Sequence, residues 1–247
     1  MWSALIDELD RWRESGAMAT FWWRDDDAVS ATDELDALLA CAGDVPIALA
    51  VVPDLADQSL AVTVAAHPSV TVLQHGWRHA NHASEGANSE YPPGRALHEV
   101  AAEFLAGRQI LGRLFGAQSA TVFAPPWHGF DPMYLPFLSP AGLTAISRKG
   151  PRNAPVACRL VVSNIHCVPI AWTAPPSFGE DANYLSAIVD HLEGRRMGRY
   201  DTAEATGVLT HHLVQNARSY EFMGRLARTV TEHPAARWSD AREIFQL

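Results

Sequence analysis

The feature that most limits what this chain can fold into is a repeated alternation. Seven short apolar runs occur at residues 19–23, 46–52, 70–73, 121–123, 143–147, 160–170 and 207–210. Between them lie stretches with helical spacing of apolar residues, at 32–42, 59–66, 94–115, 132–138, 181–196 and 217–232. Strands that alternate with helices pack as a parallel sheet with the helices outside it. Seven such units predict an α/β fold, a (β/α)7 barrel or near-barrel, with an open doubly wound sheet as the alternative. No repeat, low-complexity tract or Gly/Ser linker divides the 247 residues, so one domain over 1–247 is expected. Residues 1–16 are expected to add an amphipathic capping helix, with Leu5, Ile6, Leu9 and Trp12 on its apolar face.

In parallel α/β folds, functional groups gather beyond the C-terminal ends of the strands. Four segments satisfy that condition. The first run ends in Arg24-Asp25-Asp26-Asp27, and three consecutive carboxylates repel one another unless a cation lies nearby. The third ends in His75-Gly76-Trp77-Arg78-His79, with His82 close behind. Histidines four apart on a helical turn reach one point, and neutral imidazoles are good zinc ligands. Gly76 after His75 excludes the HExxH metalloprotease motif. The fourth run leads into Pro125-Pro126-Trp127-His128, a stiff loop that can present an aromatic wall. The seventh ends in His211-His212, a source for a general acid. Each segment alone also has an ordinary reading, as a solvated turn or a packed aromatic. Their shared position at strand ends is what singles them out.

Taken in order, WRDDD, HGWRH, FAPPW and LTHH resemble the four motif regions of the polysaccharide deacetylases, the NodB-homology group of carbohydrate esterases. The resemblance extends from about Phe21 to His212. It implies a distorted seven-stranded barrel and one divalent metal, zinc first, with nickel, cobalt or iron as alternatives. It implies Asp26 as general base, His211 as catalytic acid, and Asp27, His75 and His79 as metal ligands. Trp127, Pro126, Trp77 and His128 are then expected to contact substrate. Which two of Asp25, Asp26 and Asp27 act is open at this point, as are roles for His82 and His212. The expected reaction is metal-assisted hydrolysis of an amide, the N-acetyl group of an amino sugar or glycan precursor. A non-sugar amidase or deformylase is the enzymatic alternative, and a catalytically impaired carbohydrate-binding barrel the other. Three positions depart from the family pattern. Gly76 replaces Ser or Thr, Ala124 stands where an arginine often engages the catalytic aspartate, and Ala171 stands where an aspartate often supports the catalytic histidine.

Charge and composition narrow the classes. The 19 Lys and Arg against 28 Asp and Glu leave a net charge of −9, which disfavours a broad nucleic-acid surface. Cys41, Cys158 and Cys167 form neither a CxxC pair nor an even set, so no disulfide framework is indicated. No segment approaches about 18 uninterrupted apolar residues, so no membrane span is expected. Charges begin at Asp7 with no apolar stretch before them, which predicts a cytoplasmic protein. The motifs for serine hydrolases and for nucleotide binding are absent: GxSxG, GxGxxG and the P-loop do not occur.

Overall fold

In the computed structural model of residues 1–247, α1 (Trp2–Glu14) precedes β1 (Ala19–Ala28), α2 (Asp33–Ala42), β2 (Ile47–Val51), α3 (Gln58–Ala65) and β3 (Val70–His75). Next come α4 (Leu97–Phe115), β4 (Ser119–Ala124), the one-turn α5 (Leu135–Leu138) and β5 (Ala145–Ile146). The hairpin strands β6 (Val156–Ala157) and β7 (Leu160–Val162) follow, then α6 (Asp181–Arg196), β8 (Thr206–Thr210), α7 (Ala217–Glu232), β9 (Ala236–Trp238) and α8 (Ala241–Phe245). Thr32 caps α2 by accepting the Leu35 N–H, as its position before the apolar stretch predicts.

The sheet runs β6-β7-β5-β4-β3-β2-β1-β8, with β9 added beside β1, and every pairing except the β6–β7 hairpin is parallel. The chain leaving β7 stitches the two ends of the curled sheet together. Ile165 bridges Lys149 beyond β5, and Cys167 bridges Val208 in β8. Backbone hydrogen bonds from His166 to Gly207 (2.7 Å) and from Leu209 to Cys167 (2.8 Å) complete the seam. Seven staves thus close the distorted (β/α)7 barrel. The sixth, expected to be extended over 160–170, is regular only over Leu160–Val162.

Side-chain alternation sorts β1 between two environments. Phe21 and Trp23 face outward and pack with Leu5, Leu9, Trp12, Leu35, Phe222 and Leu226 from the surrounding helices. Trp22 faces inward among Ala48, Ala50, Leu73, Ala124, Ala145 and Leu209. The four alanines among them leave room for the large groups that β1 sends inside. At Gly207, a Cβ would collide with the Asn164 carbonyl and the Trp22 indole, so glycine there lets the seam close against Trp22. Residues 2–14 do form the expected helix. It packs against α6, with Glu8 receiving Arg196 at 2.7 Å and the Trp12 ring beneath Arg195. No helix is long and apolar enough to cross a membrane.

Candidate metal centre and catalytic pocket

The inward alternation of β1 places Trp22, Arg24 and Asp26 on one face and Asp25 on the other. Asp25 is fully buried outside the barrel, where it accepts from Thr210 Oγ1 (2.6 Å) and from the His212 backbone N–H (3.0 Å). Its second oxygen lies 2.5 Å from His212 Nδ1. The pair fastens the end of β1 to the end of β8, and neither Asp25 nor His212 lines the pocket. Asp26 and Asp27 do. Asp27 adopts φ +75°, and the β1–β2 register shifts between Asp25 and Ala28; this kink turns a second consecutive carboxylate into the barrel mouth.

The mouth is a cavity of about 390 Å³ lined by Asp26, Asp27, His75, His79, Trp127, His128, Lys149, Val168, Trp172 and His211. His75 Nε2 and His79 Nε2 lie 3.1 and 3.2 Å from Asp27 Oδ1. All three ligand atoms fall within 4.8 Å of one another. His75 Nδ1 donates to the Ala124 carbonyl at 2.9 Å, which leaves the Nε2 lone pair facing the carboxylate. Asp27 Oδ1 is buried and makes no hydrogen bond. Converging lone pairs around an orphaned carboxylate oxygen need a proton or a metal ion between them, so the residues fit a divalent cation. Burial opposes the ionisation of Asp27, but the two imidazoles outweigh it and hold the carboxyl below the ordinary range.

The two histidines meet by a route the spacing did not foresee. His75 ends β3, and residues 76–79 form a bend rather than a helical turn, with Gly76 at φ +61° and His79 at φ +56°. The buried Glu90 carboxylate organises that bend by accepting the backbone N–H groups of Arg78 (2.7 Å), Trp77 (3.0 Å) and Ala80 (3.4 Å). A Cβ on Gly76 would collide with that carboxylate and with Pro126. The Ser or Thr of the family motif therefore has no space here. Trp77 stacks under Arg78 and Pro126 is buried, and neither lines the cavity in which both were expected to meet substrate. His82 is exposed and donates only its backbone N–H to Ser89, outside the cluster. Trp127 and His128 do line the cavity, at φ +51° and +59°, with the Trp127 ring 4.1 Å from that of His79.

Asp26 is held by a partner on its own strand. Arg24, fully buried, donates from Nη2 to Asp26 Oδ2 at 2.9 Å, with Nε 2.8 Å from Oδ1. Its Nη1 donates to Ser147 Oγ (2.8 Å) and to the Ser147 carbonyl (3.2 Å). Burial opposes ionisation of Asp26, and the Arg24 guanidinium overcomes it, so the carboxyl sits below its usual range. Although Ala124 carries no guanidinium, the carboxylate has one. The i, i+2 relation of Arg24 and Asp26 was the available sequence signal. His128, pushed down to about 3 by burial first and by Arg24 second, stays neutral.

His211 lines the opposite wall, edge-on to Trp172 with ring centroids 4.8 Å apart. Its Nδ1 is buried without a hydrogen bond, as the alanine at 171 leads one to expect. Burial lowers its proton affinity, against the pull of Asp26 and Asp27.

A second group of possible ligands, His166, His191 and Glu204, behaves differently. His166 Nδ1 accepts the Gly207 N–H at 3.0 Å, so its proton resides on Nε2 and no lone pair is free for a metal.

No protein-family model matches the sequence, and no curated protein matches it. Solved structures do. A protein from Mycobacterium smegmatis described as a polysaccharide deacetylase superposes with a TM-score of 0.64 at 14% identity, covering 94% of this chain and 90% of that one. A family 4 acetyl xylan esterase from Clostridium thermocellum, in complex with a cobalt ion, gives 0.59 at 12% identity, with 92% and 90% covered. The peptidoglycan deacetylase of Bacillus subtilis gives 0.54 at 11%, with 93% and 91% covered. The chain has the fold of these polysaccharide deacetylases and carbohydrate esterases.

Proposed function

We propose that this protein is a metal-dependent hydrolase that removes the acetyl group from the nitrogen of an acetylated amino sugar. The observation that carries this reading is the placement, in one cavity, of an orphaned Asp27 oxygen between two imidazoles beside an Arg24-held Asp26 carboxylate. Asp27, His75 and His79 would hold one divalent cation, zinc being the first choice for this mixed oxygen and nitrogen set. When bound, the cation supplies Lewis-acid polarisation of the acyl oxygen and a lowered pKa for water. Asp26, kept ionised by Arg24, takes the proton from the attacking water. His211 gives a proton to the departing amine, which leaves as the C–N bond breaks. Trp127 and Trp172, 37% and 59% exposed, offer flat walls for a sugar ring. The solved relatives include enzymes named for acetyl xylan and for peptidoglycan, so both ester and amide substrates belong in the assay.

The test is metal content by elemental analysis beside acetate release from acetylated chito-oligosaccharides. Wild type should hold near-stoichiometric metal, and His75→Ala/His79→Ala should lose metal and activity together. Asp26→Asn should keep the metal and lose turnover by about 10²–10⁴-fold. Full activity in Asp26→Asn would remove it as the base. A second reading, a carbohydrate-binding barrel without turnover, is favoured by the unsupported Nδ1 of His211. Metal and sugar binding with no acetate release from any substrate would establish it.

A further inference from the structure

Beside the catalytic cavity lies a second one of about 410 Å³, and the two share His128 and Lys149 in their walls. Its chemistry is the reverse of the chain as a whole. In a protein of net charge −9, it is lined by Arg148, Lys149 and Arg152 with Asn153 and Asn164, and by no carboxylate. The three cations are not equivalent. Arg152 is occupied, with Nε 2.9 Å from Asp201 and Nη1 donating to the Val162 carbonyl at 2.6 Å. Arg148 and Lys149 form no ion pair with any carboxylate of the chain.

These two side chains stand on a fixed platform at the C-terminal end of β5. The Arg148 N–H donates to Asn164 Oδ1 (2.8 Å), and Asn164 Nδ2 donates to the Gly150 carbonyl (2.8 Å). Backbone bonds from Ile165 to Arg148 and from Gly150 to Ile165 complete the anchorage. Two adjacent cations without partners, on rigid backbone, facing a polar cavity that opens beside the reacting centre, form a receptor for negative charge.

We propose that the substrate carries an anionic group, a carboxylate or a phosphate, adjacent to the acetylated sugar, and that Arg148 and Lys149 receive it. The position of the acetylated sugar rests on the deacetylase reading; the binding of the anion does not. With Trp127 and Trp172 flanking one sugar in the catalytic cavity, the neighbouring unit enters the basic one past His128 and Lys149.

The experiment compares three probes on the zinc-loaded protein: neutral N,N′-diacetylchitobiose, a disaccharide of N-acetylglucosamine and glucuronic acid, and N-acetylglucosamine 1-phosphate. Binding is followed by tryptophan fluorescence and turnover by acetate release. At least one anionic probe should bind more than 10-fold tighter than the neutral one at low salt, and the advantage should shrink as salt rises. The probe that gains identifies carboxylate or phosphate as the source. Arg148→Gln should weaken the anionic probe by about 10–100-fold, the range for a lost charge-assisted hydrogen bond. It should leave chitobiose binding and turnover within two-fold of wild type. Lys149→Gln should weaken the anionic probe similarly. Equal affinity for all three probes in wild type, or unchanged anion affinity in both variants, would overturn the proposal. If no probe is hydrolysed, the deacetylase reading fails, while the binding comparison still decides the anion site.

Discussion

Replacing Arg24 by Met tests the electrostatic logic of the pocket at its most buried point. The side chain is fully inaccessible, and its partner Asp26 is 2% exposed, with two nitrogen–oxygen distances of 2.8 and 2.9 Å. Removing one member of such a pair leaves an uncompensated charge, at a cost of about 3–5 kcal/mol. For a chain of this length each kcal/mol lowers Tm by roughly 2–4 °C, so a fall of about 6–20 °C is expected. The burial that opposes Asp26 ionisation is then no longer offset by the guanidinium, and the carboxyl pKa rises. As Asp26 itself remains, the loss in kcat should lie near the lower end for a general base, about 10²-fold, with KM and metal content little changed. Arg24→Met/Asp26→Asn removes both charges and should be more stable than Arg24→Met, with a coupling of about 2 kcal/mol or more in the double-mutant cycle. Urea unfolding, elemental analysis and acetate-release kinetics read these outcomes. Wild-type kcat in Arg24→Met, or strictly additive stabilities in the cycle, would refute the reasoning.

Further predictions follow from the surrounding geometry. Gly76→Ser combines positive-φ strain with a collision against Glu90 and Pro126, and should destabilise by about 1–3 kcal/mol while lowering metal occupancy; normal occupancy and Tm would contradict the account of that bend. Trp172→Ala should raise KM for oligosaccharides by about 10-fold and leave kcat near wild type, measured by acetate release. Stability of the metal-free protein should fall as pH drops from about 6.5 towards 4. Burial pushes His128 down to about 3 and His191 to about 4, so the folded chain keeps both neutral while the unfolded chain takes up protons near pH 6.5. His75 and His212, shifted upward, act in the opposite sense, and their contribution is complete once pH falls below the unfolded value near 6.5. A urea midpoint at pH 4.5 equal to or above that at pH 6.5 would show this balance to be wrong.

Much of the fold was legible because its periodicities are local. Residues 181–196 and 217–232 are helical as their apolar spacing indicated, and all seven apolar runs became staves of the barrel. The hairpin strand β6 and the added strand β9 were not legible, since two or three residues carry no period. The strand-end rule picked out seven residues that line one cavity, Asp26, Asp27, His75, His79, Trp127, His128 and His211. It could not say which way Trp77 and Pro126 turn, because that depends on a bend ordered by Glu90 from ten to thirteen residues away. The ambiguity among the three aspartates was resolvable in principle: alternation alone puts Asp25 opposite Asp26, and only the kink at Asp27 breaks the rule.

The departures from the family pattern do not carry equal weight. The alanine at 124 looked like a lost function, yet the charge it would have supplied comes from two residues before Asp26 on the same strand. Ala124 keeps a different task, since its carbonyl fixes the His75 tautomer while its small side chain helps leave the barrel interior open. Gly76 is a requirement of the bend rather than a loss. His211 is the departure that nothing compensates: its Nδ1 has no carboxylate, and the aromatic edge of Trp172 takes the neighbouring space. A histidine without that support holds its proton less firmly and gives it up more readily, which suits an acid but narrows the pH range in which it is charged. The alkaline limb of kcat against pH should therefore belong to His211, and His211→Gln should abolish that limb along with most of the turnover. Persistence of the limb in His211→Gln would assign it elsewhere and leave Asp26 as the only proton-transfer group in the pocket.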